Sequence, residues 1–178
     1  MKEILFNEKE IDEMTTRIAK EIEKDYSDKE KRLLLLGILK GSVVFMSDLM
    51  KKINRPVEID FMKVSSYGAS TETSGKINII LDLHRTDLSE LDILVVEDII
   101  DSGKTLSYLV DYLRLGGARS VKTCTLLDKP SRRQVDFEAD YTGAQIPDEF
   151  VVGYGLDYAE QYRTLPFVGI LKREVYEK

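Results

Sequence analysis

The chain has 178 residues, 43% hydrophobic and 33% charged, which suits one globular domain with its own core rather than a disordered segment. Its 26 Lys and Arg against 32 Asp and Glu leave a net charge of −6 and a pI near 5.0, a balance that speaks against a general nucleic-acid binder. The single cysteine, Cys124, forbids an intrachain disulfide, and no stretch reads as a signal peptide or membrane span, so a cytoplasmic, membrane-free protein is expected.

Ile11, Met14, Ile18 and Ile22 recur at helical spacing among charged residues and predict an amphipathic helix from about Asn7, a candidate cap, to Lys24. "RLLLLGIL" is too apolar and short for a surface helix and reads as a strand buried on both faces. "KGS" turns into a second helix, "VVFMSDLMKKI", ending near Asn54. "PVEIDFMKVSSY" and "KINIIL" are β-like, and the polar "SSYGASTETSG" between them is longer than a hairpin turn and expected to move. Next comes "ILVVEDIIDSGKTL", in which Ile93 to Val96 form a buried strand with Glu97 and Asp98 at its end. A helix from about Lys104 to Leu115 follows, and Gly116-Gly117 stops it. "VKTCTLL", "FVVGY" and "FVGIL" supply further strands. Strands alternating with helices predict an α/β fold, a central mainly parallel sheet flanked by helices, in a single domain over residues 1–178.

The chemistry concentrates in Glu97 to Thr105. Gly103-Lys104-Thr105 invites comparison with a P-loop, but that loop needs a glycine five positions before Gly103, and Asp98 stands there. A response-regulator receiver would need several strands and helices after Asp140, where only 38 residues remain. The pattern left is a strand, an acid pair, two aliphatics and "DSGKT" opening a helix. A turn at a helix N-terminus offers unpaired N–H groups and partial positive charge, suited to phosphate. Gly103 allows close approach of the backbone, and the Ser102 and Thr105 hydroxyls can donate as well. Acids one turn away can hold sugar hydroxyls or a metal ion. The ligand these residues suggest is a phosphorylated sugar with vicinal hydroxyls and an associated Mg²⁺.

"VVEDIIDSGKTL" resembles the phosphoribosyl-pyrophosphate (PRPP) motif of type I phosphoribosyltransferases, and specifically of the hypoxanthine-guanine phosphoribosyltransferases. The resemblance runs along most of the chain: "GILKGS" is similar to the family's pyrophosphate loop, "VSSYG" to its lid, "LLDKP" to its base-recognition lysine segment, and "IPDEFVVGYGLDYAEQYRTLP" to its purine-binding hood. It implies a small hood formed by the N-terminal segment and residues of about 145–178. It further implies that Glu97 and Asp98 contact the ribose hydroxyls, with or without a bridging metal water. Asp101, Ser102, Gly103, Lys104 and Thr105 would wrap the 5′-phosphate, and Asp101 would take the proton from N7 of the incoming purine. Lys40 and Gly41, in a loop that in the family carries a non-proline cis peptide, would bind pyrophosphate together with Arg163. Lys129 would donate to the exocyclic O6, Ile99 and Phe150 would flank the purine, and Val151 would offer its carbonyl to the 2-position.

An ammonium has only donors, which disfavours adenine and its N6 amino group. Asp157 would ligate a second Mg²⁺, and Mg²⁺ would reconcile Glu97, Asp98 and Asp157 with an anionic substrate. Ser66 and Tyr67 would close the lid and exclude water from a centre with oxocarbenium character. The resemblance thus implies a homodimeric or homotetrameric enzyme of purine salvage that uses PRPP and a 6-oxopurine base. Two alternatives stay open: a PRPP-binding, RNA-associated regulator of the same fold, and a transferase that prefers xanthine.

Overall fold

The computed structural model describes residues 1–66 and 77–177. β1 (Glu3–Phe6) leads into α1 (Glu8–Asp25), followed by β2 (Arg32–Ile38), α2 (Ser42–Lys52), β3 (Glu58–Ser66) and β4 (Ile77–Leu81). Then come β5 (Leu91–Ile100), α3 (Lys104–Leu115), β6 (Ser120–Asp128), β7 (Tyr141–Gln145), β8 (Val151–Val152), β9 (Val168–Ile170) and the short α4 (Arg173–Tyr176).

The start of α1 is written into its sequence. The Asn7 side chain accepts from the Glu10 backbone N–H at 3.0 Å while the Glu10 carboxylate accepts from the Asn7 N–H at 2.8 Å, a reciprocal cap that satisfies two otherwise orphaned donors. Ile11, Ile18 and Ile22 fall on one buried face, as their spacing predicts. Thr15 shares that face and satisfies its hydroxyl on the Ile11 carbonyl at 2.7 Å.

Six strands form the main sheet in the order β4-β3-β2-β5-β6-β7. β3, β2, β5, β6 and β7 are parallel, and β4 is an antiparallel edge on β3. β5 lies at the centre, and alternate residues feed two cores. Leu94 and Val96 join the α1 and α2 side, whereas Ile93 and Val95 join the α3 side with Leu106, Leu109 and Leu113. Each such aliphatic contributes roughly 1.5–3 kcal/mol by leaving water. A strand buried on both faces must be apolar throughout, which is why "ILVV" and "LLLL" show no alternation. Cys124 belongs to the first core, where burial raises its thiol pKa and keeps it protonated.

A second, three-stranded sheet, in the order β1-β9-β8, is antiparallel and pairs Glu3 and Val151 with opposite sides of Ile170. The sequence reading did not anticipate β1, β7 or α4. β7 ("YTGAQ") buries only Tyr141 and owes its existence to pairing with β6.

From β2 the chain winds outward through β3, and from β5 it winds the other way through β6 and β7. The loops after β2 and β5 therefore diverge and leave a crevice at the carboxyl ends of two neighbouring strands, where open parallel sheets bind ligands.

Candidate active site

Both loops at that crevice carry residues singled out by the sequence. The loop after β2 contains a cis peptide between Leu39 and Lys40, then Gly41. A Cβ on Gly41 would fall 1.6 Å from Asp98 Oδ2, so the end of β5 and this loop touch only because residue 41 has no side chain. Gly155, at φ +97°, leans on the same loop from the second sheet, where a Cβ would come 2.2 Å from the Gly41 carbonyl.

Glu97 and Asp98 are consecutive residues of β5, which runs two residues further, to Ile100, than the sequence reading expected. Asp98 is 9% exposed, and its Oδ1 accepts from the Ile99 N–H at 2.8 Å. Neither carboxylate has a Lys or Arg within ion-pair distance among the described residues. Burial pushes both carboxyls above the ordinary range, and the neighbouring charge of Asp98 raises Glu97 further. Two carboxyls held this way favour sharing a proton, a cation or the hydroxyls of a ligand.

Past the acid pair, Asp101 to Gly103 turn into α3. Gly103 takes φ +78°, a left-handed conformation that only glycine adopts freely, and a Cβ there would meet Arg133 Cδ at 2.9 Å. Ser102 Oγ accepts from the Lys104 N–H at 3.3 Å, and the Gly103 carbonyl accepts from the Ser107 N–H at 3.0 Å. The first turn of α3 contains no acidic residue, which leaves its N-terminal field to an anion.

Lys129 follows β6, and its ammonium, with a side chain only 9% exposed, stands 3.6 Å from Asp101 Oδ1. Ile99 is half-buried on β5, paired in register with Leu127 of β6. Val151 is 6% exposed in β8. The preceding ring, Phe150, stacks on Tyr176 of α4 at 4.9 Å between centroids and meets the edge of Tyr158 at 5.6 Å.

Arg163 is tied to its own turn. Its guanidinium donates to the Gly155 carbonyl at 2.7 Å and pairs with Asp157 at 3.0 Å and Glu160 at 3.2 Å, while its buried Nε has no partner. Glu160 also reaches Lys40 at 3.0 Å. Both cations expected to hold pyrophosphate are thus already joined to carboxylates. Ala159, Glu160 and Tyr162 all take positive φ, which folds residues 157–163 back on themselves and brings Glu160 between the two cations.

Of the lid residues, Ser66 ends β3 and Tyr67 lies outside the described residues. No group of three or more potential metal-ligating side chains occurs among the described residues, and Asp157 is paired with Arg163 rather than grouped with Glu97 and Asp98. A closed protein cage is not what Mg²⁺ usually takes: one or two carboxylates, water and substrate phosphate suffice, and the paired acids of β5 fit that demand.

Glu160, Arg133 and Tyr176 were missed by the sequence reading. Glu160 had a faint signal, three residues after Asp157 and three before Arg163. Arg133, which donates to the Asp101 carbonyl at 2.6 Å, had none.

Known proteins resemble this chain along most of its length. The model of the phosphoribosyl transferase domain family matches residues 2–159. The hypoxanthine-guanine phosphoribosyltransferase of Bacillus subtilis is 51% identical over 177 residues, covering 99% of this chain and 97% of that protein. The bifunctional protein TilS/HprT of Listeria monocytogenes is 50% identical over the whole chain, which spans only 27% of that longer protein. Among solved structures, a hypoxanthine phosphoribosyltransferase from Staphylococcus aureus superposes with a TM-score of 0.93 at 48% identity, covering 100% of this chain and 95% of that one.

Proposed function

The chain belongs to the hypoxanthine-guanine phosphoribosyltransferase family, and from that membership we propose that it joins the phosphoribosyl group of PRPP to N9 of hypoxanthine or guanine, releasing IMP or GMP and pyrophosphate. The observation that carries this reading is the juxtaposition, at one crevice, of an acid pair without a cation, a phosphate-ready glycine turn and the Lys129–Asp101 pair.

In this reading Asp101 to Thr105 take the 5′-phosphate on backbone N–H groups and hydroxyls at the start of α3. Glu97 and Asp98 hold the two ribose hydroxyls and so set C1′ facing the base. Lys129 donates to O6, and its 3.6 Å separation from Asp101 places recognition and proton transfer beside each other. N9 attacks C1′ as the C1′–O bond to pyrophosphate breaks, and the N7 proton passes to Asp101. Ile99 and Phe150 flank the ring, and Val151 accepts at the 2-position through its carbonyl.

Lys40, the Gly41 backbone and Arg163 take the leaving pyrophosphate once Glu160 gives way. Glu97, Asp98 and Asp157 would hold Mg²⁺ arriving with PRPP, and the ion would supply charge neutralisation for the leaving pyrophosphate. Ser66 and Tyr67 close the site against water. The family context supports a homodimer or homotetramer. No helix among the described residues is long and apolar enough to cross a membrane, and a cytoplasmic setting fits the sequence.

The test is to supply PRPP and Mg²⁺, offer hypoxanthine, guanine, xanthine, adenine and uracil separately, and follow pyrophosphate release. Release with hypoxanthine or guanine, absent with adenine and uracil and abolished by EDTA, is the expected result. Release with adenine alone would remove Lys129 from base selection. No release with any base would overturn the reading.

A further inference from the structure

The N–H groups of a phosphate turn must all face one way, and something has to hold them there. In a trans peptide the carbonyl and the following N–H point in opposite directions, so whatever anchors a carbonyl also aims the next N–H. The Asp101 carbonyl accepts from the Arg133 guanidinium at 2.6 Å, which turns the Ser102 N–H the other way. The Ser102 carbonyl accepts from the Gln134 N–H at 2.9 Å, which does the same for the Gly103 N–H. Arg133 is itself held by an ion pair with Asp128, the last residue of β6, and the two side chains are only 15% and 12% exposed. Its Cδ lies 2.9 Å from where a Gly103 Cβ would stand, so the arginine stem packs directly beneath the turn.

Resting on the reading of this turn as the 5′-phosphate site, we propose that Arg133 is a positioning residue for the reaction. Clamped by Asp128, it fixes the Asp101 peptide so that the Ser102 N–H points at the phosphate, beside the Gly103 N–H that Gln134 aims, and the Asp101 carboxylate stays beside Lys129. Substrate does not touch it. Its role passes through the backbone, and its cationic charge beneath the turn adds to the field at the start of α3.

A role of this kind affects ligands with a 5′-phosphate and spares those without one. The experiment measures the affinity of the full-length protein for IMP and for inosine, which differ only in that group, and takes their ratio. In Arg133→Met the IMP preference falls about ten- to hundredfold, as expected for losing one charge-assisted hydrogen bond, while inosine binding stays near wild type. An unchanged ratio overturns the proposal, and equal losses for both ligands overturn it in favour of general loosening of the site. Wild-type protein that binds IMP no tighter than inosine removes the phosphate reading itself, and the proposal with it. If Arg133→Met strands Asp128 and does not fold, Arg133→Met/Asp128→Asn removes the stranded charge and is judged by the same ratio.

Discussion

Asp92 and Asp98 sit on the same strand, β5, one near each end, and are equally hidden, at 8% and 9% exposure. Their environments are opposite. Asp92 receives the Arg119 guanidinium at 2.8 Å and the Ser120 hydroxyl at 2.5 Å, and these hold its carboxyl below the usual carboxylate range. Asp98 has no ion-paired cation among the described residues, and burial pushes it up despite the more distant charge of Arg163. The contrast extends around each residue. Near Asp92, Arg32 and Arg85 share Glu58 and Asp87 at 2.7–2.9 Å, whereas at the far end Asp98 has Glu97 beside it and feels Arg163 only at a distance. One end of the sheet spends its charges on itself. The other pairs Lys129, Lys40 and Arg163 with carboxylates but leaves Glu97 and Asp98 without an ion-pair partner among the described residues, at a cost in stability.

Four substitutions sharpen or break this contrast. Asp101→Ala should lower kcat by about 10²–10⁴ with PRPP binding little changed and the thermal midpoint modestly lower, because in the proposed reaction Asp101 takes the N7 proton and its loss leaves the Lys129 ammonium without its carboxylate. Steady-state kinetics beside a melting curve decide it, and unchanged turnover would remove Asp101 from the chemistry. Lys129→Ala should cost about ten- to hundredfold in kcat/KM for hypoxanthine while the dissociation constant for PRPP moves little. Equal losses for both substrates would contradict its place beside the base.

Asp92→Asn should leave kinetics alone and destabilise the fold by about 1–2 kcal/mol at neutral pH in a denaturant titration. Its depressed carboxyl stabilises above the ordinary Asp pKa, about 3.9, and that stability is lost as pH falls through the folded value, so the gap from wild type closes in acid. Glu97→Gln should have the opposite sign. A raised carboxyl stabilises below the unfolded value, about 4.3, and loses that contribution as pH rises through the folded value. The variant should therefore match wild type near pH 4 and melt a few degrees higher at neutral pH, at about 2–4 °C for each kcal/mol. Its PRPP affinity should fall at the same time. A lower melting temperature would mean that Glu97 is structural after all.

What the sequence revealed and what it hid follow from distance along the chain. α1 and α3 were legible to within a residue or two, because a cap at Asn7 and glycines at 103, 116 and 117 are local signals. The turn from Glu97 to Thr105 was legible for the same reason: its chemistry lies in nine consecutive positions. β1 was not, since "EILF" becomes a strand only by meeting Gly169 and Ile170 at the other end of the chain. The same holds for side chains. Arg133 acts on a carbonyl 32 residues away, and Glu160 reaches Lys40 across 120 residues, so spacing carries no mark of the first and only a faint one of the second. The Phe150–Tyr176 stack depends on a four-residue helix that sequence periodicity is too short to announce.

The contact of Gly41 with Asp98 has an evolutionary consequence. A methyl group at position 41 would occupy the space of the Asp98 carboxylate, so a side chain at 41 requires a change at 98, whereas a shorter residue at 98 leaves Gly41 as it is. Alanine at 41 would be tolerated only where residue 98 had already become shorter, and that step gives up one of the two acids. Substitution costs little at Leu115, which is 89% exposed, whereas position 41 is tied to position 98, 57 apart in sequence and touching in space.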